Sequence, residues 1–288
     1  VQMAFLLFLA MFISLNGKIM PADQPVLLAA NRGYRYGDGL FETMLLDQGA
    51  IRLGGLHFAR LLNGLQLLKF ELPAQFSAGK LTADMLRLAE KNQVIKTGRV
   101  RLSVFRGNGG LYDADRQLQY LIECWPLADH FTQLNENGLV IGIYPDARKQ
   151  IDIFSGLKTA CFLPYSMAAL YAKEQQLNDC LLLNTDGHIA DSTMANLFIL
   201  RNDQFVTPGP EQGAVDGVMR RYLIGEMRLA GYQVMEAAVH VTDLEEAKEV
   251  FLCNAIRGIR WVARYGQQVY GHQQTAEIFS RIVQTIPR

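Results

Sequence analysis

The chain has no long run of charge of one sign, no Cys-x-x-Cys pair and no Gly-Lys-Ser/Thr phosphate loop. Lysine plus arginine and aspartate plus glutamate balance at 28 each. The clustered positive charge that grips a phosphate backbone is therefore missing, which argues against nucleic acid as the main partner. Four scattered cysteines, Cys124, Cys161, Cys180 and Cys253, without a histidine-rich neighbour, suggest neither a disulfide framework nor a zinc centre. A reducing, cytoplasmic setting and no metal are expected. No internal repeat or low-complexity segment occurs. The apolar run Met3–Ile13 (MAFLLFLAMFI) is shorter than the about 20 residues that cross a bilayer, and it lacks the positive residues that open a secretory signal. It is read as an extension leading into a first strand, and no membrane partner is expected.

What is present is an ordinary globular composition, 50% hydrophobic and 19% charged, in a chain of 288 residues that is long enough for two cores. Met11–Leu15 and Lys18–Met20 around Asn16-Gly17 predict an opening hairpin. Leu56–Phe70 sets Leu61, Leu65 and Leu68 on one helical line, with His57, Arg60 and Gln66 elsewhere on its surface. Thr82–Asn92 predicts a second helix, with Thr82 and Asp84 as an acidic, cap-like start. Arg99–Arg106 alternates as a half-exposed strand does, and Leu118–Trp125 reads as another. The polar stretch 126–137 is taken as a linker between an N-terminal domain, 1–125, and a C-terminal domain, 138–288.

In the second domain Gly138–Tyr144 reads as a strand and Ser166–Gln176 as a helix. Hairpins are expected around Thr185-Asp186-Gly187 and around Asn202-Asp203. Gly217–Ala230 reads as a helix introduced by Asp216, Thr242-x-x-Glu245 as a capping box, Val250–Cys253 as a strand and Thr275–Val283 as a closing helix. The expected architecture is α+β, two mixed or barrel-like sheets with peripheral helices.

Four separated features carry meaning together: His57-x-x-Arg60 on a helix, Lys158 opening an apolar segment, Asp191-x-Thr193-x-x-Asn196-Leu-Phe198 on a hairpin, and Thr207 followed by Gly217-Val218-Met219-Arg220 at a helix start. In this order and spacing the chain, from Phe12 onward, resembles the fold-type IV pyridoxal-phosphate enzymes. These are the branched-chain aminotransferases, the D-amino-acid aminotransferases and the 4-amino-4-deoxychorismate lyases. The resemblance implies pyridoxal 5'-phosphate as cofactor and Lys158 as the Schiff-base lysine and general base. It implies Asp191 as the partner of the ring nitrogen, where the family has the longer glutamate. It implies a phosphate site from Arg60, Gly217 and the amides of Val218 and Met219, closed by Asn254-Ala255, with Asn196 beside the cofactor and Tyr36 and Tyr112 toward the substrate. It further implies a homodimer and a small, amino-acid-like substrate.

Thr43 in Gly37-Asp-Gly-Leu-Phe-Glu-Thr matches a threonine with a catalytic role in the lyases. Leu163 stands where the aminotransferases have a cofactor-contacting tyrosine, and Cys253-Asn-Ala-Ile-Arg-Gly-Ile resembles the lyase turn. These favour release of pyruvate from 4-amino-4-deoxychorismate to give 4-aminobenzoate. An aminotransferase of branched-chain or D-amino acids is the alternative, and a cofactor-binding protein of low turnover a third reading.

Overall fold

The structure, a computed structural model, describes residues 12–112, 117–127 and 133–287. The run Met3–Ile13 lies outside the described residues except for its last two positions. The chain divides into two compact units. One holds the described residues up to 127 with Lys158–Cys161 and Pro287; the other holds 133–157 and 162–286.

The first unit comprises β1 (Phe12–Leu15), β2 (Lys18–Pro21), α1 (Arg32–Tyr36), β3 (Gly39–Asp47), β4 (Ala50–Ile51), α2 (Gly54–Leu67), α3 (Ala78–Lys91), β5 (Thr97–Arg106) and β6 (Leu118–Pro126). The strands lie in the order β2-β1-β6-β5-β3-β4, every pair antiparallel. The hairpin β1–β2 forms as expected, Asn16 and Gly17 both taking positive φ (51° and 84°), the conformation a two-residue turn needs to match strand twist. One face of the sheet, with Leu40, Met44, Val100, Leu102, Val104 and Ile122, is buried along with Leu61 and Leu65 of α2 and Leu81, Met85 and Leu88 of α3.

Three expectations are corrected here. Helix α3 begins a turn earlier than Thr82, because Ser77 Oγ accepts the Lys80 N–H (3.2 Å) and so caps the helix at Ala78. Asp84 does not cap: it is buried and accepts from Lys80 Nζ (2.7 Å), Arg87 Nη2 (2.6 Å) and the Tyr120 hydroxyl (2.8 Å). His57 and Arg60 are not on the helix surface but buried, because Glu42 on β3 supplies their partner.

Lys158–Cys161 belongs with this unit rather than with the C-terminal half in which the sequence placed the lysine. The Phe41 N–H donates to the Lys158 carbonyl and the Ala160 N–H to the Gly39 carbonyl, both at 2.9 Å, so the segment pairs along β3.

The second unit comprises β7 (Leu139–Lys149), α4 (Leu163–Glu174), β8 (Asp179–Asn184), β9 (Ile189–Ser192), β10 (Asn196–Arg201), β11 (Gln204–Thr207), α5 (Val218–Leu229), β12 (Val234–Glu236), α6 (Asp243–Glu246), β13 (Glu249–Asn254), β14 (Gly258–Tyr265), β15 (Gln268–Val269) and α7 (Gln273–Ile278), which runs on into a π-helical turn, Phe279–Val283. The sheet order is β12-β11-β10-β13-β14-β7-β8-β9, with β15 on β14. Pairing is parallel for β11/β12, β14/β7 and β7/β8 and antiparallel elsewhere, so the fold is α+β with this sheet mixed.

Both expected hairpins form, and Asn202 and Asp203 turn with φ of 50° and 58°. Two expected caps do not. Asp216 pairs with Arg221 instead of capping α5, whose N-cap is Gly217. Thr242 makes no side-chain cap bond, and Asp243 Oδ2 accepts the His240 N–H at 2.8 Å in its place.

Candidate active site

In the first unit, alternation along β3 divides the site residues between two faces. Phe41 and Thr43 point to one face, where Thr43 is level with Arg101 and, one strand on, Glu123. Lys158 Nζ lies 4.6 Å from the Phe41 ring centroid, and the Arg101 guanidinium carbon lies 3.9 Å from the same centroid. The lysine ammonium and an arginine thus flank one aromatic ring, on the strand face that also carries Thr43.

Arg99, two residues before Arg101 on this face, stacks at 5.5 Å on Trp125, and its buried Nε has no hydrogen-bond partner. Desolvation pulls both guanidinium pKa values down; Glu123, 4.0 Å from Arg101 Nε, pulls them back up. Burial raises the Glu123 carboxyl in turn, against the attraction of both arginines.

Glu42, on the opposite face of β3, accepts from Arg60 Nε (2.8 Å), Arg60 Nη2 (2.5 Å) and His57 Nδ1 (2.6 Å). Burial alone would raise this carboxyl. The Arg60 charge and the hydrogen bonds from His57 and Arg60 outweigh it and hold Glu42 at about 2. Arg60 is therefore held in a fixed orientation and gives two of its three nitrogens to Glu42. Tyr36 ends α1 with the Arg32 guanidinium 5.2 Å from its ring centroid, and Tyr112 is 98% exposed beside residues that are not described.

In the second unit, β8 and β9 present Asp191 level with Leu182. Asp191 is 2% exposed, and its Oδ2 accepts from Lys149 Nζ, the Tyr165 hydroxyl and the Val215 N–H, each at 3.0 Å. Its Oδ1 is buried and has no partner. The turn that follows is fixed by Asp179, which accepts from Ser192 Oγ (3.0 Å), Thr193 Oγ1 (2.7 Å) and the Thr193 N–H (3.1 Å). That turn delivers Asn196 to the start of β10.

Asn196 Nδ2 donates to the Val215 carbonyl (2.8 Å) and its Oδ1 lies against Gly217. Asn254 closes the same edge: its Nδ2 donates to the Met194 carbonyl (3.3 Å), while its Oδ1 accepts the N–H groups of Ile256 and Arg257, folding Asn254-Ala255 into a turn. The amides of Val218 and Met219 open α5, whose first N–H groups have no partner within the helix. Asp191, Asn196, Gly217 and Asn254 are thus brought together by one set of turns.

Sequence reading missed four contributors. Lys149 and Tyr165 are the side chains on Asp191, and Arg101 and Phe41 flank Lys158 and Thr43. For Tyr165 a signal existed: Pro164 stands in the first turn of α4, where Leu163 is exposed (69%) and Tyr165 is turned inward (8%).

The mixed α+β fold thus carries a lysine paired along β3 in one unit and, in the other, a helix start beside a buried carboxylate. The chain belongs to the amino-transferase class IV family, whose model matches residues 39–265. It is 25% identical over 232 residues to the aminodeoxychorismate lyase of Vibrio harveyi, covering 80% of this chain and 83% of that one. It is 24% identical over 268 residues to the D-alanine aminotransferase of Bacillus licheniformis, covering 91% and 90%. The branched-chain aminotransferase of Thermoproteus uzoniensis, solved with norvaline, has the same fold: TM-score 0.85, 18% identity, 96% of this chain and 94% of that one.

The protein is a pyridoxal-phosphate-dependent enzyme of this family. Its residues fit the cofactor: Asp191 Oδ1 is a buried acceptor lacking a donor, and Gly217, where Asn196 leaves no room for a side chain, leads into the unpartnered amides at the start of α5. Among the described residues no helix is long and apolar enough to cross a membrane, and no group of three or more His, Cys, Asp or Glu could hold a metal ion.

Proposed function

We propose that the protein is a lyase that releases pyruvate from 4-amino-4-deoxychorismate and yields 4-aminobenzoate. The observation that carries this reading is the arrangement on one face of β3 and β5. Thr43, Arg99 and Arg101 share that face, and Lys158 Nζ lies over its Phe41. Two arginines with Glu123 as their nearby carboxylate leave a net positive, half-buried surface, suited to a substrate with carboxylates.

Bound pyridoxal phosphate supplies an electron sink for the pair left when the substrate Cα loses its proton. Lys158 Nζ takes that proton. The Thr43 hydroxyl holds or passes a proton beside it. When the cofactor is bound, Asp191 Oδ1 would accept from the ring nitrogen, and the amides of Val218 and Met219, together with Arg60 of the first unit, would be donors to the phosphate. Asn196, Gly217, Asn254 and Ala255 shape the backbone around the cofactor, and Tyr36 and Tyr112 border the substrate. The product places the enzyme in folate biosynthesis.

The protein is read as a cytoplasmic homodimer. Leu163, Met167 and Leu170 support the dimer, since they form an exposed apolar row at i, i+4 and i+7 on α4. Sedimentation at micromolar concentration checks this, and a monomer throughout would remove it.

Amino transfer from D- or branched-chain amino acids is the second reading, supported by the similarity to D-alanine aminotransferase. Purified holoenzyme given 4-amino-4-deoxychorismate separates the two. Pyruvate and 4-aminobenzoate should appear in equal amounts, whereas amino transfer without pyruvate release overturns the lyase reading. Borohydride reduction should fix the cofactor at Lys158; fixation at another lysine would overturn that assignment.

A further inference from the structure

Lys149 has no part in the chemistry assigned above, yet it is buried and its Nζ lies 3.0 Å from Asp191 Oδ2 and 5.0 Å from the Tyr165 ring centroid. It ends β7, where the pairing with β8 resumes after a register shift between Ile143 and Arg148 and sets Lys149 level with Asn184. Asp191 Oδ2 receives three donors, an ammonium, a phenol and a backbone amide, while Oδ1 in the same carboxylate receives none. Burial and the neighbouring Asp191 push the Tyr165 hydroxyl well above its usual range, so it keeps its proton and donates.

An ion pair with only a structural role would gain from spreading its donors over both oxygens, because a buried acceptor left unsatisfied is costly. The observed arrangement turns one oxygen away from all three donors. It also sets the charge: Asp191 and Lys149 sum to zero, so a protonated ring nitrogen opposite Oδ1 meets a carboxylate already half engaged by a cation.

We propose that Lys149 is a positioning residue for the cofactor. It holds Asp191 with Oδ1 directed to the ring nitrogen, and its ammonium takes up part of the carboxylate charge. The ring nitrogen then holds its proton less firmly than it would opposite an unpaired carboxylate. This rests on the reading of Asp191 as the ring-nitrogen partner. It gives the shorter aspartate a second distinction from a glutamate at the same place, since both its reach and its effective charge are set by the lysine.

The test is the ring-nitrogen resonance of holoenzyme reconstituted with pyridoxal phosphate carrying 15N in the ring. Wild type is compared with Lys149→Gln, which keeps a donor to Oδ2 without the charge, and with Lys149→Arg, which keeps the charge. The Lys149→Gln resonance should move toward the position of the protonated ring, and Lys149→Arg should stay with wild type. Tyr165→Phe, which removes a neutral donor from the same oxygen, should move it far less. Lys149→Met serves as a second neutral variant should Lys149→Gln fail to fold. An unchanged resonance in the neutral variants, or an equal shift in Tyr165→Phe, overturns the proposal. A resonance that also ignores Asp191→Asn overturns the reading beneath it, so the two failures are distinguishable.

Discussion

Gly217 and Asn196 touch so closely that a Cβ at 217 would overlap Asn196 Oδ1. The asparagine cannot yield easily, because its Nδ2 is held by the Val215 carbonyl. Gly217→Ala should therefore push the start of α5 away from β10, costing about 1 to 3 kcal/mol of stability. The displaced Val218 and Met219 amides should weaken binding of pyridoxal phosphate by about tenfold or more, equivalent to about 1.4 kcal/mol. Denaturant unfolding and a cofactor titration followed by absorbance measure both effects. Unaltered cofactor affinity would show that these amides do not hold the phosphate.

Thr43→Val removes a hydroxyl at nearly constant volume from the face that carries Phe41 and Arg101. If this hydroxyl handles a proton, kcat for pyruvate release should fall by about 100-fold, within the usual span for a lost acid–base group, with little change in stability. Any side transamination by the same variant should stay within about threefold of wild type, since a group used only in the lyase step contributes nothing to the other reaction.

Glu42 links the stability of the first unit to pH. Its carboxyl is depressed from 4.5 to about 2 in the folded protein, so the stability it contributes is present above pH 4.5 and is lost as pH falls toward 2. Glu42→Gln leaves the buried Arg60 without that counter-charge and should cost about 3 to 5 kcal/mol at pH 7. Urea unfolding of both proteins between pH 7 and pH 2.5 should show the gap narrowing as the wild-type carboxylate protonates. A gap independent of pH would mean that shape, not charge, sets the loss.

Arg101 stacks on the ring that Lys158 covers. Arg101→Gln should raise KM for a dicarboxylate substrate by about tenfold or more, the worth of a charge-assisted hydrogen bond, with kcat changed much less. Initial-rate kinetics decide. A loss confined to kcat would mean that the arginine acts on the reaction and not on recognition.

Local chemistry explains what was legible in the chain. The hairpins at Asn16-Gly17 and Asn202-Asp203 could be read because their turn residues tolerate positive φ. Asp191 and Gly217 stand out only through the family resemblance of four separated features, each weak by itself. The burial of His57 and Arg60 could not be read, because Glu42 lies 15 and 18 residues away and on a different element. Lys149 was hidden in a similar way. The stretch Pro145-Asp146 looks like the end of a strand, yet β7 crosses a register shift and continues for five residues beyond Tyr144, carrying the lysine to Asp191. The failed caps have different sources: the Asp216 carboxylate is taken by Arg221 one turn into α5, and Thr242 has a helical backbone in place of the extended one a cap needs.

Lys158 sits on backbone that is hydrogen-bonded to β3 at Phe41 and, through Ala160, at Gly39. Backbone paired onto a strand is released only by local opening, on microseconds to seconds, whereas a side-chain rotation takes picoseconds to nanoseconds. If Lys158 carries the cofactor as proposed, its amine reaches alternate partners fastest through its own four-carbon stem above the Phe41 ring, which rotates in the picosecond-to-nanosecond range, and not through its backbone.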